Sequence, residues 1–180
     1  MIYYDDGTIR IRSMITEDID GIINGFKEQD PTMEKPREVL ELYIDEQNKG
    51  EVYIFIGEYN GSVAGFTALY PKTTEGPLAG KDIPEMSDFN VFIKYRRKGI
   101  GNKILDAAEK VAFDISETKT ISLGVGLHSG YGAAQRIYFK RGYLPDGSGL
   151  WYKGKPLEQY ADCCNDDNLN LYLSKSLCPK

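Results

Sequence analysis

The chain is poor in the residues that build metal centres. Among its 180 residues it has one histidine, His128, and three cysteines, Cys163, Cys164 and Cys178. Adjacent cysteines rarely bond to each other, no CxxC pair is present, and one histidine cannot complete a Cys/His ligand set, so no metal is expected. The cysteines read as reduced thiols of a cytosolic protein. Missing too is any apolar run near the roughly 20 residues that a bilayer span needs. The start, Met1-Ile2-Tyr3-Tyr4-Asp5-Asp6, lacks the basic segment and apolar stretch of a signal peptide. These absences lead to the expectation of a cytoplasmic protein with no membrane partner. Positive charge is also in deficit: 22 basic against 27 acidic residues give a net charge of −5. That balance argues against a nucleic-acid partner, which calls for a field of Lys and Arg. A homodimer stays open.

What is present fits one compact domain over residues 1–180, with 41% hydrophobic and 27% charged residues. Ile9-Arg10-Ile11-Arg12 alternates as a strand does. Thr16, followed by Glu17 and Asp18, predicts a capped helix start, with Ile19, Ile22, Ile23 and Phe26 on its apolar face and Asp30-Pro31 at its end. A second helix is predicted over Arg37 to Asn48. Val52 to Tyr59 and Val63 to Tyr70 flank Asn60-Gly61, a strong hairpin signal. Pro71 to Pro84 reads as a long loop, and such loops are often functional. Met86 to Ile93 is expected as a strand. Ile100, Ile104, Leu105, Ala108, Val111, Ala112 and Ile115 form one face of a long helix. A strand over Ile121 to Val125 follows, then a short helix from Gly132 to Arg141 closed by Gly142, and strands at Leu150 to Lys153 and Leu169 to Lys175. The hairpin implies antiparallel pairing and the strand–helix–strand unit implies parallel pairing. The expected class is α/β (α+β): a mixed, mostly antiparallel sheet of about seven strands flanked by about four helices.

The informative segment is Val91-Phe92-Ile93-Lys94-Tyr95-Arg96-Arg97-Lys98-Gly99-Ile100-Gly101-Asn102. It ends a strand and opens the longest helix. The first turn of a helix carries unpaired N–H groups and a partial positive charge. Glycines at alternate positions let an anion approach the backbone, and four cations surround them in an acidic chain. These features suit a phosphate or pyrophosphate. The GxxxxGK[ST] spacing of a P-loop is absent. A dinucleotide fingerprint would require glycine at position 104, where Ile104 stands.

Arg96-x-x-Gly99-x-Gly101, with the aliphatic Val91 five residues before it, resembles motif A of the GNAT superfamily of acetyl-CoA-dependent N-acetyltransferases. A second run supports the resemblance: Tyr138 on the last helix lies five residues before Tyr143, which follows Gly142. The resemblance implies a GNAT-like fold with acetyl-CoA as acyl donor. It implies that backbone amides near Arg97, Lys98, Gly99, Ile100, Gly101 and Asn102, with Arg96, hold the pyrophosphate. It further implies that the backbone of Val91, Phe92 and Ile93 pairs with the pantetheine arm like an added strand. The family often has Asn seven residues before the tyrosine; Tyr131 stands there instead, so that pantetheine contact is made differently or is missing.

Acetyl transfer to an amine needs a route for the amine's proton and a proton for the departing thiolate. On this resemblance Tyr138 is the candidate general acid. Glu85, six residues before Val91, is the candidate base. Asp88 is a candidate for binding the substrate amine. An unbulged strand would put Glu85 with Phe89 and Val91 on one face, and Asp88 with Asn90 on the other. His128 is expected to be structural, and Trp151 to fill core or line the acceptor pocket. The acceptor is a primary amine of a small molecule (amino acid, polyamine or aminoglycoside-like) or a peptide. A non-catalytic acyl-CoA sensor is the alternative. Asn165 to Asn168 is expected to be a mobile turn with little part in the core.

Overall fold

A computed structural model of the chain describes residues 1–32, 35–73 and 75–178. The strands are β1 (Ile2–Asp5), β2 (Ile9–Ser13), β3 (Tyr53–Tyr59), β4 (Ser62–Tyr70), β5 (Glu85–Val91), β6 (Thr120–Gly126), β7 (Leu144–Tyr152), β8 (Lys155–Pro156) and β9 (Leu169–Ser176). The helices are α1 (Asp18–Gln29), α2 (Arg37–Lys49), α3 (Ile100–Ile115) and α4 (Gly132–Lys140). The architecture is the expected mixed, mostly antiparallel one, with nine strands among the described residues rather than about seven. The additions are β1 and the two-residue β8, each too short to carry a periodic signal. The chain divides into two compact units, Met1–Tyr70 with Ser87–Val111, and Pro71–Met86 with Ala112–Lys180.

In the first unit the strand order is β1-β2-β3-β4-β5. Asn60 and Gly61 both adopt positive φ, 49° and 76°. That is the backbone a two-residue hairpin loop demands, and Tyr59 faces Ser62 across it. The core gathers Ile19, Ile22 and Phe26 of α1, Leu40 and Tyr43 of α2, Ile54, Ile56 and Phe66 of the hairpin, and Phe92. Thr16 does not cap α1. The residue before the helix, Glu17, is itself helical and has no side-chain cap. The Asp18 side chain turns back on the approach to the helix: its carboxylate accepts the Ile15 N–H at 2.8 Å and bonds from both terminal nitrogens of Arg12 at 2.7 and 2.6 Å. Arg12 also reaches Glu58 at 2.6 Å. A buried charge group therefore joins α1, β2 and β3, and the Asp18 bond pushes the Arg12 pKa up.

In the second unit the order is β5-β6-β9-β7-β8, β5 passing from one unit into the other. Glu85 and Met86 pair in parallel with Ser122 and Leu123, as the strand–α3–strand succession requires. β6 and β9 are antiparallel from Thr120↔Ser176 to Gly126↔Asn170. Gly142, at φ 86°, ends α4 in the left-handed conformation. β7 begins six residues earlier than expected; Gly147 and Gly149, both at positive φ, lie within its register shift between Pro145 and Leu150. In the Pro71 to Pro84 loop, Thr74 lies outside the described residues.

Candidate active site

The approach to α3 is built as an anion-accepting turn. The strand stops at Val91, a single 3₁₀ turn covers Ile93–Tyr95, and Arg97 (φ 61°) and Gly99 (φ 86°) take left-handed backbone. The Lys103 N–H bonds to the Gly99 carbonyl at 3.2 Å, so the helix starts after Gly99. The first amides of a helix, here those of Ile100 and Gly101, have no acceptor within it. Among the described residues, a Cβ at Gly99 would meet only the Ile9 side chain, at 4.0 Å, so the space beside Gly99 is open. Arg96, Arg97 and Lys98 are exposed. The Lys98 ammonium rests over the Tyr59 ring, 4.2 Å from its centroid, and Lys94 pairs with Glu28. Ile100 differs from its neighbours in that its side chain is buried and serves the core.

The three residues expected to pair with a pantetheine arm are not equivalent. Phe92 gives its N–H to the Ala64 carbonyl at 2.9 Å. Its ring is buried against Phe26, with centroids 5.6 Å apart, and fills the place a Cβ on Gly25 would take. Phe92 is therefore committed to the protein. Ile93 already belongs to the 3₁₀ turn, and its N–H faces Gln29 at 3.4 Å. The added-strand expectation thus narrows to Val91 and the residues before it. Backbone groups alternate sides along a strand, so Val91 directs its own to the edge opposite Ala64. There Arg96 Nε donates to the Val91 carbonyl at 2.9 Å. Arg96 consequently holds the turn against the strand end. Gly65 allows β4 and β5 to meet closely: a Cβ there would fall 2.3 Å from the Asn90 carbonyl oxygen.

Glu85 opens β5. Its carboxylate accepts a hydrogen bond from the buried hydroxyl of Thr73. Burial pushes its pKa up, the Thr73 bond opposes this, and the charge of Glu75 adds to the rise. The charges of Glu85 and Glu75, after burial, also raise Tyr172. Thr73, Glu75 and Tyr172 were not legible as site neighbours, since they come from a loop and a distant strand.

Tyr138 is buried on α4, its ring centroid 5.6 Å from that of Tyr143. Burial, followed by the charge of Tyr131, holds its pKa well above the usual phenol value. Tyr131, in the place of the family's Asn, donates to Asp167 at 2.9 Å and packs so closely on Gly126 that a Cβ there would clash at 2.3 Å. His128 bonds the same Asp167 oxygen at 3.0 Å and accepts the Gly130 N–H on Nδ1 at 3.1 Å. It is the cap of the short turn before α4, a structural role. The bonds from His128 and then Tyr131 hold the Asp167 carboxyl below its ordinary range. The Asn165–Asn168 segment, expected as a mobile turn, is thus exposed but for the half-buried Asp166, and tied down at Asp167. Trp151 is half-buried edge-on to Tyr172, centroids 5.7 Å apart.

Asp88 breaks the regular alternation of β5, with φ at 52°. One carboxylate oxygen takes the Lys35 ammonium and, at 3.0 Å, the Tyr43 hydroxyl; the other accepts from the Asn90 amide at 3.2 Å. Tyr43 is pushed up by burial and then by the Asp88 charge. Tyr70, bonded to Glu46 at 3.3 Å, is pushed up to about 12, mainly by burial. Lys35, Tyr43 and Tyr70 carried no motif that would single them out.

Among the described residues no three His, Cys, Asp or Glu side chains are arranged to hold a metal, and no helix is long and apolar enough to cross a membrane. Cys163, Cys164 and Cys178 are exposed and free.

Against known proteins, a model of the acetyltransferase (GNAT) family matches residues 19–143. YhfO of Bacillus subtilis (strain 168), an uncharacterised N-acetyltransferase, is 33% identical over 102 residues, 57% of this chain. The match spans 65% of that relative's length, just under two thirds. An N-acetyltransferase from Staphylococcus aureus Mu50 superposes with a TM-score of 0.69 at 18% identity, over 96% of this chain and 100% of the other. The PaiA N-acetyltransferase of Thermoplasma acidophilum, solved in complex with coenzyme A, gives 0.64 at 16% identity, over 94% and 99%. At such identities the structural likeness is one of fold.

Proposed function

Because this chain belongs to the acetyltransferase (GNAT) family, we propose that it moves an acetyl group from acetyl-CoA to a primary amine of a small molecule or peptide. The observation that carries this reading is the left-handed Arg97-to-Gly99 turn, open beside Gly99 and ringed by exposed cations, at the head of α3. It fits a pyrophosphate through the amides of Ile100 and Gly101 and the charges of Arg97 and Lys98. Arg96 keeps that turn on the strand end, and Val91 offers the edge for the pantetheine amides.

Acetyl-CoA supplies an activated carbonyl: the amine forms a C–N bond to it and the C–S bond breaks. The residues of this chain manage the protons. Glu85, whose burial raises its proton affinity, takes a proton from the amine directly or through water. Tyr138, whose burial keeps the phenol protonated, donates to the departing thiolate. Asp88 attracts the amine before transfer. A cytoplasmic location suits the exposed, unbonded thiols.

The test is release of free coenzyme A thiol from acetyl-CoA against a panel of amines. Amine-dependent release supports transfer. Acetyl-CoA binding with no release on any amine would leave a non-catalytic acyl-CoA sensor in its place.

A further inference from the structure

The Asp88 carboxylate is built into an ammonium receptor, and the receptor already holds an ammonium. Lys35 Nζ pairs with Asp88 Oδ2 and stands over two aromatic faces, 5.5 Å from the Tyr43 centroid and 5.9 Å from that of Phe66. Both lie within the range of cation–π attraction. Tyr43 donates to the same carboxylate oxygen, and Asn90 to the other, so the acid is fixed in place. The side chains of Lys35 and Asp88 are only 17% and 20% exposed. Carboxylate, aromatic walls and low exposure together select a compact cation on an apolar stem.

Two features set this apart from a structural ion pair. Lys35 comes from the connection between α1 and α2, outside either helix, so neither helix needs its side chain there. Asp88 sits at a left-handed break in β5, three residues before Val91. At roughly 3.3 Å per residue that is about 10 Å along the strand that would carry the pantetheine arm. The receptor is therefore on the thioester's side of the phosphate turn.

We propose that this cage is the binding site for the acceptor's ammonium group and that Lys35 occupies it as an internal competitor. The acceptor class is then a linear primary alkylamine, resembling a lysine side chain in head and stem, which displaces Lys35 in order to react. The inference rests on the acetyl-transfer reading above and adds the acceptor's chemistry to it. On displacement, Lys35 passes to solvent and the incoming ammonium takes its bond to Asp88. The bound ammonium then loses one proton to solvent to become the attacking amine and a second to Glu85 as the C–N bond forms, while the thiolate released by C–S cleavage takes the Tyr138 proton, which solvent restores.

The experiment uses the full chain with n-butylamine as probe, following thiol release from acetyl-CoA. Lys35→Ala empties the cage; Lys35→Met keeps the stem without the charge and serves if the alanine variant folds poorly. The expected result is a KM for n-butylamine at least about tenfold lower than in the wild type, an effect the further change Asp88→Asn removes. A KM the same with and without Lys35, or turnover indifferent to Asp88→Asn, overturns the proposal. Calorimetric binding of n-butylamine to the Lys35 variants without its acetylation also overturns it, since that marks a filled cavity and no acceptor site. Acetyl-CoA thermal shifts on each variant separate the two readings. If acetyl-CoA does not bind, the acetyl-transfer reading itself fails. If it binds and n-butylamine is not acetylated, only this inference fails.

Discussion

A phenol that is to protonate a departing thiolate has to keep its proton until that moment, and burial does this for Tyr138. Tyr138→Phe removes the hydroxyl and keeps the ring that packs on Tyr143. Turnover is expected to fall roughly 10- to 1,000-fold, around the range of general acid catalysis, with acetyl-CoA affinity unchanged. Steady-state kinetics beside a calorimetric affinity decide it: lost affinity with full turnover would mark the phenol as a binding group. Tyr131→Phe is the control for a substitute phenol. Glu85 is perturbed in the opposite functional sense. Its raised pKa means that the folded chain binds this proton more tightly than the unfolded chain does. The folded state therefore loses relative stability as pH climbs from the ordinary carboxylate range through the raised value, and ionised Glu85 opposes folding above it. A base must be ionised, so activity should rise with pH over that same window. Glu85→Gln should abolish this limb of the pH–rate profile, lower turnover, and leave Tm at neutral pH no lower than in the wild type. An unchanged acid limb in the variant would assign the titration to another group.

At the scale of elements, the turn between β5 and α3 concentrates the phosphate chemistry. Gly99→Asp puts a carboxylate where the pyrophosphate would lie and is expected to abolish acetyl-CoA binding. The φ of 86° at Gly99 makes any side chain there strained, at roughly 1–2 kcal/mol. Gly99→Ala shares that strain without the charge. The comparison to make is calorimetric affinity of the two: the alanine variant should retain measurable binding and the aspartate variant should not. Equal affinities would show that charge at the turn is irrelevant. The sequence announced this turn because a phosphate site needs glycine, cations and a helix start in immediate succession, all of which are local. It did not announce that β5 ends at Val91, nor that Phe92 turns its ring into the core. Those depend on Phe26, on the absence of a side chain at Gly25 and on the Ala64 carbonyl, which are distant in the chain. Nor did the sequence announce that Asp18, at the head of α1, would be drawn to Arg12, which also reaches Glu58 of β3.

For the whole molecule, a ligand that binds only the folded state raises its stability by mass action. Acetyl-CoA at a hundred times its dissociation constant should add about 2.7 kcal/mol. For a chain of this length that corresponds to a rise in Tm of roughly 5–10 °C, read by thermal shift. No rise, together with no heat of binding, would remove the cofactor reading. What the sequence alone determined about this protein is whatever short-range physics controls: the left-handed Asn60-Gly61 hairpin, the apolar stripe of α3, the glycine that ends α4, and the spacing of Arg96, Gly99 and Gly101. Each is specified by residues within a few positions of one another, so backbone sterics and helical period suffice to read it. Only the tertiary structure decided which carboxylates are buried and what they touch. Glu85 meets Thr73 from a loop, Asp88 meets Lys35 and Tyr43 from before and within α2, and Asp167 meets His128 and Tyr131 from ahead of α4. Desolvation and ion pairing depend on distance in space, and separation along the chain leaves no trace of that distance in composition or spacing.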